Sequence, residues 1–268
     1  MSRNSSMHGT VRSADGVSVA FTSSGTGDPA LVFVHGGLAN RTFWHNQIPH
    51  LSLRYRIVTV DLAGHGESGG NRVDWSIPRF GEDVQAVVAH LALDRLVLFG
   101  NSLGGPVALE AAARLPGRVL GVVGVDTFHD ATETIDETSA RARADAFAAD
   151  PAGSCRAMVA QLFHPGRHPE VLAWAEAEML RTPPEVTVPM LASFGGYDLP
   201  GAFRRAGVPI RAINGDLWPT DIARNRTVVP DFDAIVMPGT GHYPMLEQPE
   251  AFNELVVRVV SGLDRRTK

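Results

Sequence analysis

Short, mostly apolar runs that end at a glycine or a polar residue constrain the fold of this chain most strongly. Their continuous apolar character is typical of strands that are buried on both faces of a sheet. Stretches with helical patterning separate them, and this alternation predicts a parallel sheet covered by helices on both faces. The runs are Ala30–Val34, Arg56–Val60, Arg95–Phe99, Val119–Val125, Ile210–Ile213 and Ala234–Met237; the helical stretches are Thr42–Leu51, Ser76–Leu91, Leu103–Arg114 and Pro249–Leu263.

Two regions depart from this alternation. Val17–Thr22 alternates apolar and polar residues and is predicted to be a strand, whereas residues 1–9 are predicted to be unstructured. Residues 127–206 contain helical stretches at Glu137–Ala149 and Val171–Arg181 but no convincing strand. Because a structureless loop of that length is improbable inside a compact domain, we predict a helical insertion over one end of the sheet.

The composition excludes several classes of protein. The chain has 268 residues, of which 44% are apolar and 20% charged, unlike a disordered protein, and its net charge of -5 disfavours nucleic acid as a partner. A single cysteine, Cys155, forms no internal disulfide and suggests no zinc site. The N-terminus lacks the apolar segment of a signal peptide, and no apolar run is long enough to cross a membrane. We therefore expect a cytoplasmic protein without nucleic acid or membrane partners.

The sharpest local signal is Gly100-Asn101-Ser102-Leu103-Gly104, between a predicted strand and a predicted helix. Its G-x-S-x-G pattern in this context is typical of a strained turn that exposes the serine at its tip. The residues two positions before and after the serine must be small, because larger side chains would collide with the adjoining strand and helix. Ser102 is therefore the predicted nucleophile. The alternative is a glycine-rich turn with an incidental serine.

Two backbone N–H groups are predicted to form an oxyanion hole. His35-Gly36-Gly37 follows a buried run, and its small residues allow an N–H to point at the serine. We assign the hole to the N–H groups of Gly37 and Leu103, which would stabilise a tetrahedral intermediate. His35 itself is expected to hydrogen-bond to nearby loop backbone.

His242 is the predicted general base. It lies in Gly241-His242-Tyr243, between a predicted strand and the last predicted helix. Because the chain has ten histidines, the interpretation depends on this loop and on the order serine then histidine. In this role His242 takes the Ser102 proton and later returns it to the leaving group.

Together these segments resemble the α/β-hydrolase superfamily, over about residues 17 to 262. The resemblance implies an α/β-hydrolase fold with a mostly parallel sheet and no cofactor or metal. It also implies a core of residues 1–126 and 207–268, and a helical cap, residues 127–206, inserted after the sixth strand. The matching segments are His35-Gly36-Gly37, Trp44 with Gln47, Asp61–Ser68 (in which His65 is structural), the turn at Ser102, and Gly241-His242 followed by Glu247-Gln248-Pro249.

The acid of the triad departs from the superfamily's commonest pattern. A carboxylate must orient the histidine and stabilise its charged form, and in most relatives it follows the seventh strand. That stretch offers Asp216 and Asp221, neither of which is in register. Some relatives, including a subgroup of haloalkane dehalogenases, place the acid after the sixth strand, where this chain has Asp126. We predict Asp126 as the acid, with Asp216, Asp221 or the absence of a working acid as alternatives.

The predicted substrate-binding residues lie next to these motifs and form a mostly apolar pocket. They are Leu38, Trp44, Phe128, His129, Trp218 and Tyr243. Arg141, Arg143 and Asp145 are interpreted as a solvated helix face. His164 and His168 have a metal-ligand spacing, but the intervening Pro165-Gly166 disfavours the required helix.

The sequence thus predicts a serine hydrolase that forms an acyl-enzyme with a small or medium carboxylic ester, lactone or thioester. Its partner would be a small, largely apolar carbonyl compound. Hydrolysis of a carbon–carbon bond in a diketone is a close alternative with the same triad. Dehalogenation and epoxide opening are disfavoured, since those relatives use aspartate at the turn. A hydrolase-like binding or sensing protein with little turnover is the alternative from another class.

Overall fold

Eight strands form the centre of the computed structural model, which describes residues 6–265. They are β1 (Met7–Arg12), β2 (Ser18–Ser24), β3 (Ala30–Val34), β4 (Arg56–Val60), β5 (Leu96–Asn101), β6 (Val119–Val125), β7 (Ile210–Gly215) and β8 (Asp233–Met237). Their order in the sheet is β1-β2-β4-β3-β5-β6-β7-β8. β2 is antiparallel to β1 and β4, and the other neighbouring pairs are parallel.

The central strands explain why continuous apolar runs were informative. Every residue of β3, β5 and β6 is buried, because helices cover both faces of the sheet. Phe33 and Phe99 stack between β3 and β5, with ring centroids 4.8 Å apart. Neighbouring strands in this part of the sheet are parallel, so their carboxyl ends meet at one edge.

β1 is a strand that the sequence pattern did not reveal. The prediction that residues 1–9 are unstructured is wrong for Met7–Gly9, and residues 1–5 lie outside the described range. β1 is an edge strand with mostly exposed side chains, so it has no apolar run. Its pairing with β2 extends from Met7 to Arg12 and supplies the stabilisation that its own side chains lack.

The helices lie between the strands largely where the sequence patterns indicated. The predicted helix over residues 42–51 is instead a short 3-10 helix, Arg41–Trp44, followed by α1. The α-helices are α1 (Ile48–Leu51), α2 (Ile77–His90), α3 (Gly104–Ala113), α4 (Glu137–Ala149), α5 (Pro151–Ala160), α6 (Pro169–Met179), α7 (Pro184–Ala192), α8 (Leu199–Ala206), α9 (Ile222–Val228), α10 (Pro244–Glu247) and α11 (Pro249–Arg265).

Residues 127–206, here called the helical segment, connect β6 to β7 and contain α4 to α8 without a strand. Aspartates cap three of these helices: Asp136, Asp150 and Asp198 each accept a backbone N–H three residues later. Prolines in the first turn begin α5 to α8, where a missing N–H costs nothing. Capping and proline placement therefore divide the segment into short helices.

Two buried histidines fix the loops that follow β3 and β4. His35 Nε2 accepts the N–H of Leu62 at 3.0 Å, so its Nδ1 donates to the carbonyl of Gly36 at 2.7 Å. His65 Nδ1 lies 2.9 Å from the carbonyl oxygen of Ala63, and the two rings are 5.0 Å apart. Burial lowers the pKa of His35 to about 4 and that of His65 to about 3. Both side chains are therefore neutral in the folded protein at neutral pH.

We predict that the free energy of unfolding decreases as the pH falls from 7 towards 4. The unfolded chain takes up protons near the ordinary pKa of 6.5, whereas the folded histidines stay neutral until their lowered pKa values. The stabilisation is complete above pH 6.5 and is lost as the pH falls through the folded pKa values. Each unmatched proton contributes a slope of about 1.4 kcal/mol per pH unit.

Urea unfolding of wild type, His65→Gln and His50→Gln at several pH values tests this prediction. His50 is exposed, so its substitution should leave the slope unchanged, whereas His65→Gln should make the pH dependence shallower. Identical slopes for wild type and His65→Gln would contradict the role given to burial.

Candidate active site

Ser102 lies in the turn between β5 and α3, at the carboxyl edge of the sheet. Its φ of 52° is in the left-handed region, which costs free energy for any residue other than glycine. A hydrogen bond of 3.2 Å from its N–H to the carbonyl of Val125 ties the turn to β6. The strained turn leaves the Ser102 side chain partly exposed, at the edge where ligands bind in parallel sheets.

Close backbone packing on both sides of the turn requires glycine. A Cβ atom at Gly100 would lie 2.0 Å from the carbonyl oxygen of Gly104. A Cβ atom at Gly104 would lie 2.4 Å from the carbonyl oxygen of Val34. Neither backbone atom can move away without displacing a strand or helix, so the spacing of the sequence motif has a direct steric cause.

Two backbone amides adjoin the serine. Gly36 and Gly37 follow β3, and a Cβ atom at Gly36 would lie 3.2 Å from Cβ of Ser102. Leu103 is the first residue before α3. Gly37 and Leu103 line the same cavity as Ser102, and within residues 6–265 neither amide N–H donates to a protein acceptor. Both donors are therefore available to an oxygen atom bound beside the serine.

His242 contacts Asp126 directly. Its Nδ1 lies 2.6 Å from Oδ2 of Asp126, whose Oδ1 accepts the N–H of Gly215 at 2.9 Å. Asp126 is buried, and His242 lines the cavity that also contains Ser102. Because Nδ1 faces the carboxylate, Nε2 is the ring nitrogen left for the cavity side. This arrangement suits proton transfer to and from the serine.

Asp126 is an ionised carboxylate in a buried position. Burial opposes the charge, but the interactions with His129 and His242 outweigh it and hold the pKa of Asp126 well below its usual value. His129 Nε2 lies 3.6 Å from Oδ1 of Asp126. The carboxylate therefore lies between two histidines and stays charged at neutral pH.

The other two candidate acids lie in different contacts. Asp216 Oδ1 is 2.6 Å from Nε2 of His164, and its Oδ2 accepts the N–H of Gly239. Asp221 caps α9 by accepting the N–H of Arg224 at 2.9 Å. Over residues 6–265, Asp126 is the one candidate whose carboxylate contacts His242.

Two further residues hold the loop of His242, and sequence reasoning gave neither a role. Asn101 Nδ2 donates to the carbonyl of Val125 at 2.9 Å and to that of His242 at 3.0 Å. The buried carboxylate of Glu247 accepts the N–H groups of Gly241 and Tyr243, on either side of His242. Asn101 belongs to the G-x-S-x-G motif and Glu247 to the Glu247-Gln248-Pro249 segment, but nothing in these patterns shows that the two side chains face the loop of His242.

Two cavities meet at Ser102. The smaller has a volume of about 100 Å³ and contains Gly37 and His242. The larger, of about 290 Å³, extends from Ser102 towards α4 and includes Arg143. The methionines at positions 158, 179 and 190 make the wall of the smaller cavity apolar, and sequence reasoning did not single them out.

Of the six predicted substrate-binding residues, some line the cavities at Ser102 and others lie elsewhere. Leu38 and Tyr243 line the smaller cavity. Trp44 is packed in the core against Phe33, and within the described residues it lines neither of the two cavities. A substrate contact by Trp44 therefore does not fit its position.

Three predicted residues lie behind the candidate triad. Phe128 is buried against Phe203, and His129 faces Asp126. The Trp218 ring lies edge-on to the ring of His242, with centroids 5.7 Å apart. Within residues 6–265 none of these three lines the two cavities at Ser102. His129 and Trp218 are thus placed to support the triad, and Phe128 to support the core.

Arg143 corrects the interpretation of α4 as a simply solvated face. Its side chain lines the larger cavity although the residue is largely exposed. Ala140, Ala144 and Phe147 are buried on the same helix, so Arg143 lies at the edge of the buried face. Alanines are spread around α4 instead of along one side, so the sequence pattern did not show which face of the helix is buried.

Other features of the described residues lie outside this site. Burial raises the pKa of the Cys155 thiol to about 11, which keeps it protonated. Between residues 6 and 265, no cluster of three or more histidine, cysteine or acidic side chains is arranged to hold a metal ion. Over the same range, no helix combines the length and apolar character needed to span a membrane.

Comparisons with known proteins agree on the fold. The family described as alpha/beta hydrolase fold matches residues 29–150. The 2-(acetamidomethylene)succinate hydrolase of Mesorhizobium japonicum is 28% identical over 239 residues, which are 83% of this chain and 84% of that protein. The pimeloyl-[acyl-carrier protein] methyl ester esterase of Methylococcus capsulatus is 30% identical over 201 residues, 72% of this chain and 77% of that protein.

A solved structure is similar over almost the whole chain. The malate-bound thermophilic esterase of Thermogutta terrifontis superposes with a TM-score of 0.83 at 24% identity and covers 96% of this chain and 99% of its own. The strand order, the turn at Ser102 and these relatives lead to one conclusion: the chain belongs to the α/β-hydrolase family.

Proposed function

We propose that this hydrolase is a serine esterase that works through an acyl-enzyme on Ser102. The most direct support is the 2.6 Å contact between Nδ1 of His242 and the buried carboxylate of Asp126, beside a cavity that His242 shares with Ser102. The methyl ester esterase activity named for one relative supports ester cleavage in particular. Lactones and thioesters are substrates of the same chemistry.

The first half of the proposed reaction acylates the serine. His242 Nε2 takes the proton of Ser102 as Oγ attacks the carbonyl carbon, and the Asp126 carboxylate stabilises the imidazolium. The N–H groups of Gly37 and Leu103 hold the negative oxygen of the tetrahedral intermediate. When the intermediate collapses, the bond to the leaving oxygen breaks and His242 donates its proton to the departing alcohol.

The second half releases the acid. A water molecule gives a proton to His242 and attacks the acyl-enzyme carbonyl, and the same two N–H groups hold the second tetrahedral intermediate. Collapse breaks the bond to Ser102 Oγ, which recovers its proton from His242. The products are a carboxylic acid and an alcohol, and the enzyme returns to its starting state.

We also propose that the helical segment acts as a cap over the site. Met158, Met179 and Met190 all belong to it and close the smaller cavity above Ser102. The N–H of His242 donates at 2.8 Å to the carbonyl of Leu162, two residues after the end of α5. The segment therefore contacts both the substrate space and the loop of the general base.

A triad acid that lies after the sixth strand, and not after the seventh as in most relatives, would support the alternative of a hydrolase-like binding protein. That support weakens because the carboxylate after β6 contacts His242 directly. Carbon–carbon bond hydrolysis of a diketone uses the same groups and differs only in the bond that breaks, so substrate comparison is the way to separate it from ester hydrolysis.

Ser102→Ala should abolish labelling by a fluorophosphonate probe and lower kcat for methyl butyrate by at least about 10³-fold. The expected loss follows from removal of the attacking oxygen. Ser139→Ala, which alters an exposed serine at the start of α4, is the matched control and should keep labelling and turnover. A wild-type protein that is neither labelled nor active would contradict the proposal.

Asp126→Asn should lower kcat by about 10⁴-fold, because an amide cannot hold the histidine tautomer and its charge. Asp216→Asn and Asp221→Asn should stay within a few-fold of wild type, since these carboxylates contact other groups. Ester turnover is measured with each variant, and circular dichroism and thermal unfolding confirm that it is folded. Near-normal kcat for folded Asp126→Asn would show that another group is the acid.

A further inference from the structure

Ser102 lies where two cavities of different size and chemistry meet. From this division we propose that the preferred substrate is a small-alcohol ester whose acyl part carries a remote carboxylate, bound by Arg143 on α4. The inference rests on the proposed esterase function and specifies its substrate class. In this proposal the alcohol part of the ester lies in the smaller cavity and the acyl part lies in the larger one.

The leaving alcohol belongs in the smaller cavity. Its oxygen must lie within hydrogen-bond reach of the general acid, and His242 lines the smaller cavity but, among residues 6–265, not the larger one. The smaller cavity, at about 100 Å³, has about a third of the volume of the larger one, at about 290 Å³, so the smaller part of the ester belongs there. Methanol or ethanol fits this space, and the apolar methionine wall suits their alkyl part.

The acyl chain then extends into the larger cavity. This space of about 290 Å³ begins at Ser102 and Leu103 and reaches Arg143. Apolar side chains line the path between these ends, which suits a chain of methylene groups; they are Ile77, Pro106, Ile135, Phe194 and Leu199. A substrate that fills it has an apolar middle and a group at its far end that meets the guanidinium.

Arg143 is suited to bind a carboxylate there. Its guanidinium is a planar fork that matches the two oxygens of a carboxylate. Within residues 6–265 Arg143 forms no ion pair, whereas Arg205 on α8, for example, pairs with Glu110. Its position beside the buried face of α4 lets its aliphatic stem follow the cavity wall while the charge meets solvent.

Glu133 also lines the larger cavity and is the competing group for contact with the far end of the substrate. It would attract an ammonium group instead of a carboxylate. Glu133 lies in the irregular connection before α4, whereas Arg143 lies inside a helix of 13 residues. Because groups on regular elements are held more precisely than groups on loops, we assign the terminal contact to Arg143.

Three esters of similar length test the substrate and its orientation. Monomethyl adipate has the carboxylate on the acyl side, and its isomer δ-acetoxyvalerate has it on the alcohol side. Methyl hexanoate has no charge. For the wild-type enzyme, kcat/KM for monomethyl adipate should exceed that for methyl hexanoate roughly tenfold, as expected for a charge-assisted contact, and should also exceed that for δ-acetoxyvalerate.

Separate substitutions of two arginines on α4 distinguish a direct contact between Arg143 and the substrate from an effect of the protein's net charge. Arg143→Gln should reduce the ratio of kcat/KM values for monomethyl adipate and methyl hexanoate to about one. Arg141→Gln removes the same charge from an exposed position outside the cavity and should keep the wild-type ratio. A KM increase for the anionic ester, larger than any change in kcat, is expected of Arg143→Gln.

Several outcomes overturn the inference. A wild-type ratio near one, or the same ratio after Arg143→Gln, would show that Arg143 binds no carboxylate. Preference for δ-acetoxyvalerate would show the reverse orientation, and preference for a methyl ester with a terminal amine would assign the contact to Glu133. Turnover of methyl butyrate with any of these results leaves the esterase function intact, whereas absence of all ester hydrolysis overturns both.

Discussion

The buried carboxylate of Asp126 is the group on which the arrangement of this edge of the sheet depends. An ionised carboxylate away from water needs hydrogen-bond donors, and it obtains them from the N–H of Gly215 at the end of β7 and from Nδ1 of His242 after β8. Gly215 is the last residue of β7, so these contacts connect β6, the end of β7 and the loop after β8 at a single point. The position of His242 relative to Ser102 is therefore a consequence of how one buried charge is satisfied.

The loop of His242 is also held by contacts from three other directions. Asn101, beside Ser102, donates to the His242 carbonyl; Glu247 accepts the N–H groups on either side of His242; and Leu162 in the helical segment accepts the His242 N–H. The proposed base, His242, is thus coupled to the turn at Ser102 and to the helical segment. A change in the helical segment can consequently alter proton transfer without touching the substrate.

Sequence patterns predicted the elements whose conformation is determined by adjacent residues. They missed features that depend on residues distant in the chain. Buried strands such as β3 and the turn at Ser102 follow from apolar runs and steric limits that adjacent residues impose. β1 depends on pairing with β2, so its own residues gave no signal. Phe128 follows Asp126 closely in sequence, yet left-handed φ values at both positions turn the chain, and Phe128 packs into the core.

The groups proposed to react and the groups proposed to select a substrate come from different parts of the chain. Ser102, His242 and Asp126 belong to the ends of strands or to loops of the sheet, whereas the methionine wall and Arg143 belong to the helical segment. Packing in the sheet constrains the first group tightly, since even one Cβ at Gly104 would meet backbone. The second group lies on the short helices α4, α5, α6 and α7, none of which belongs to the sheet. Substrate preference can therefore change through the helical segment while the chemistry is retained, which is why the motifs indicated a reaction and the cavities were needed to indicate a substrate.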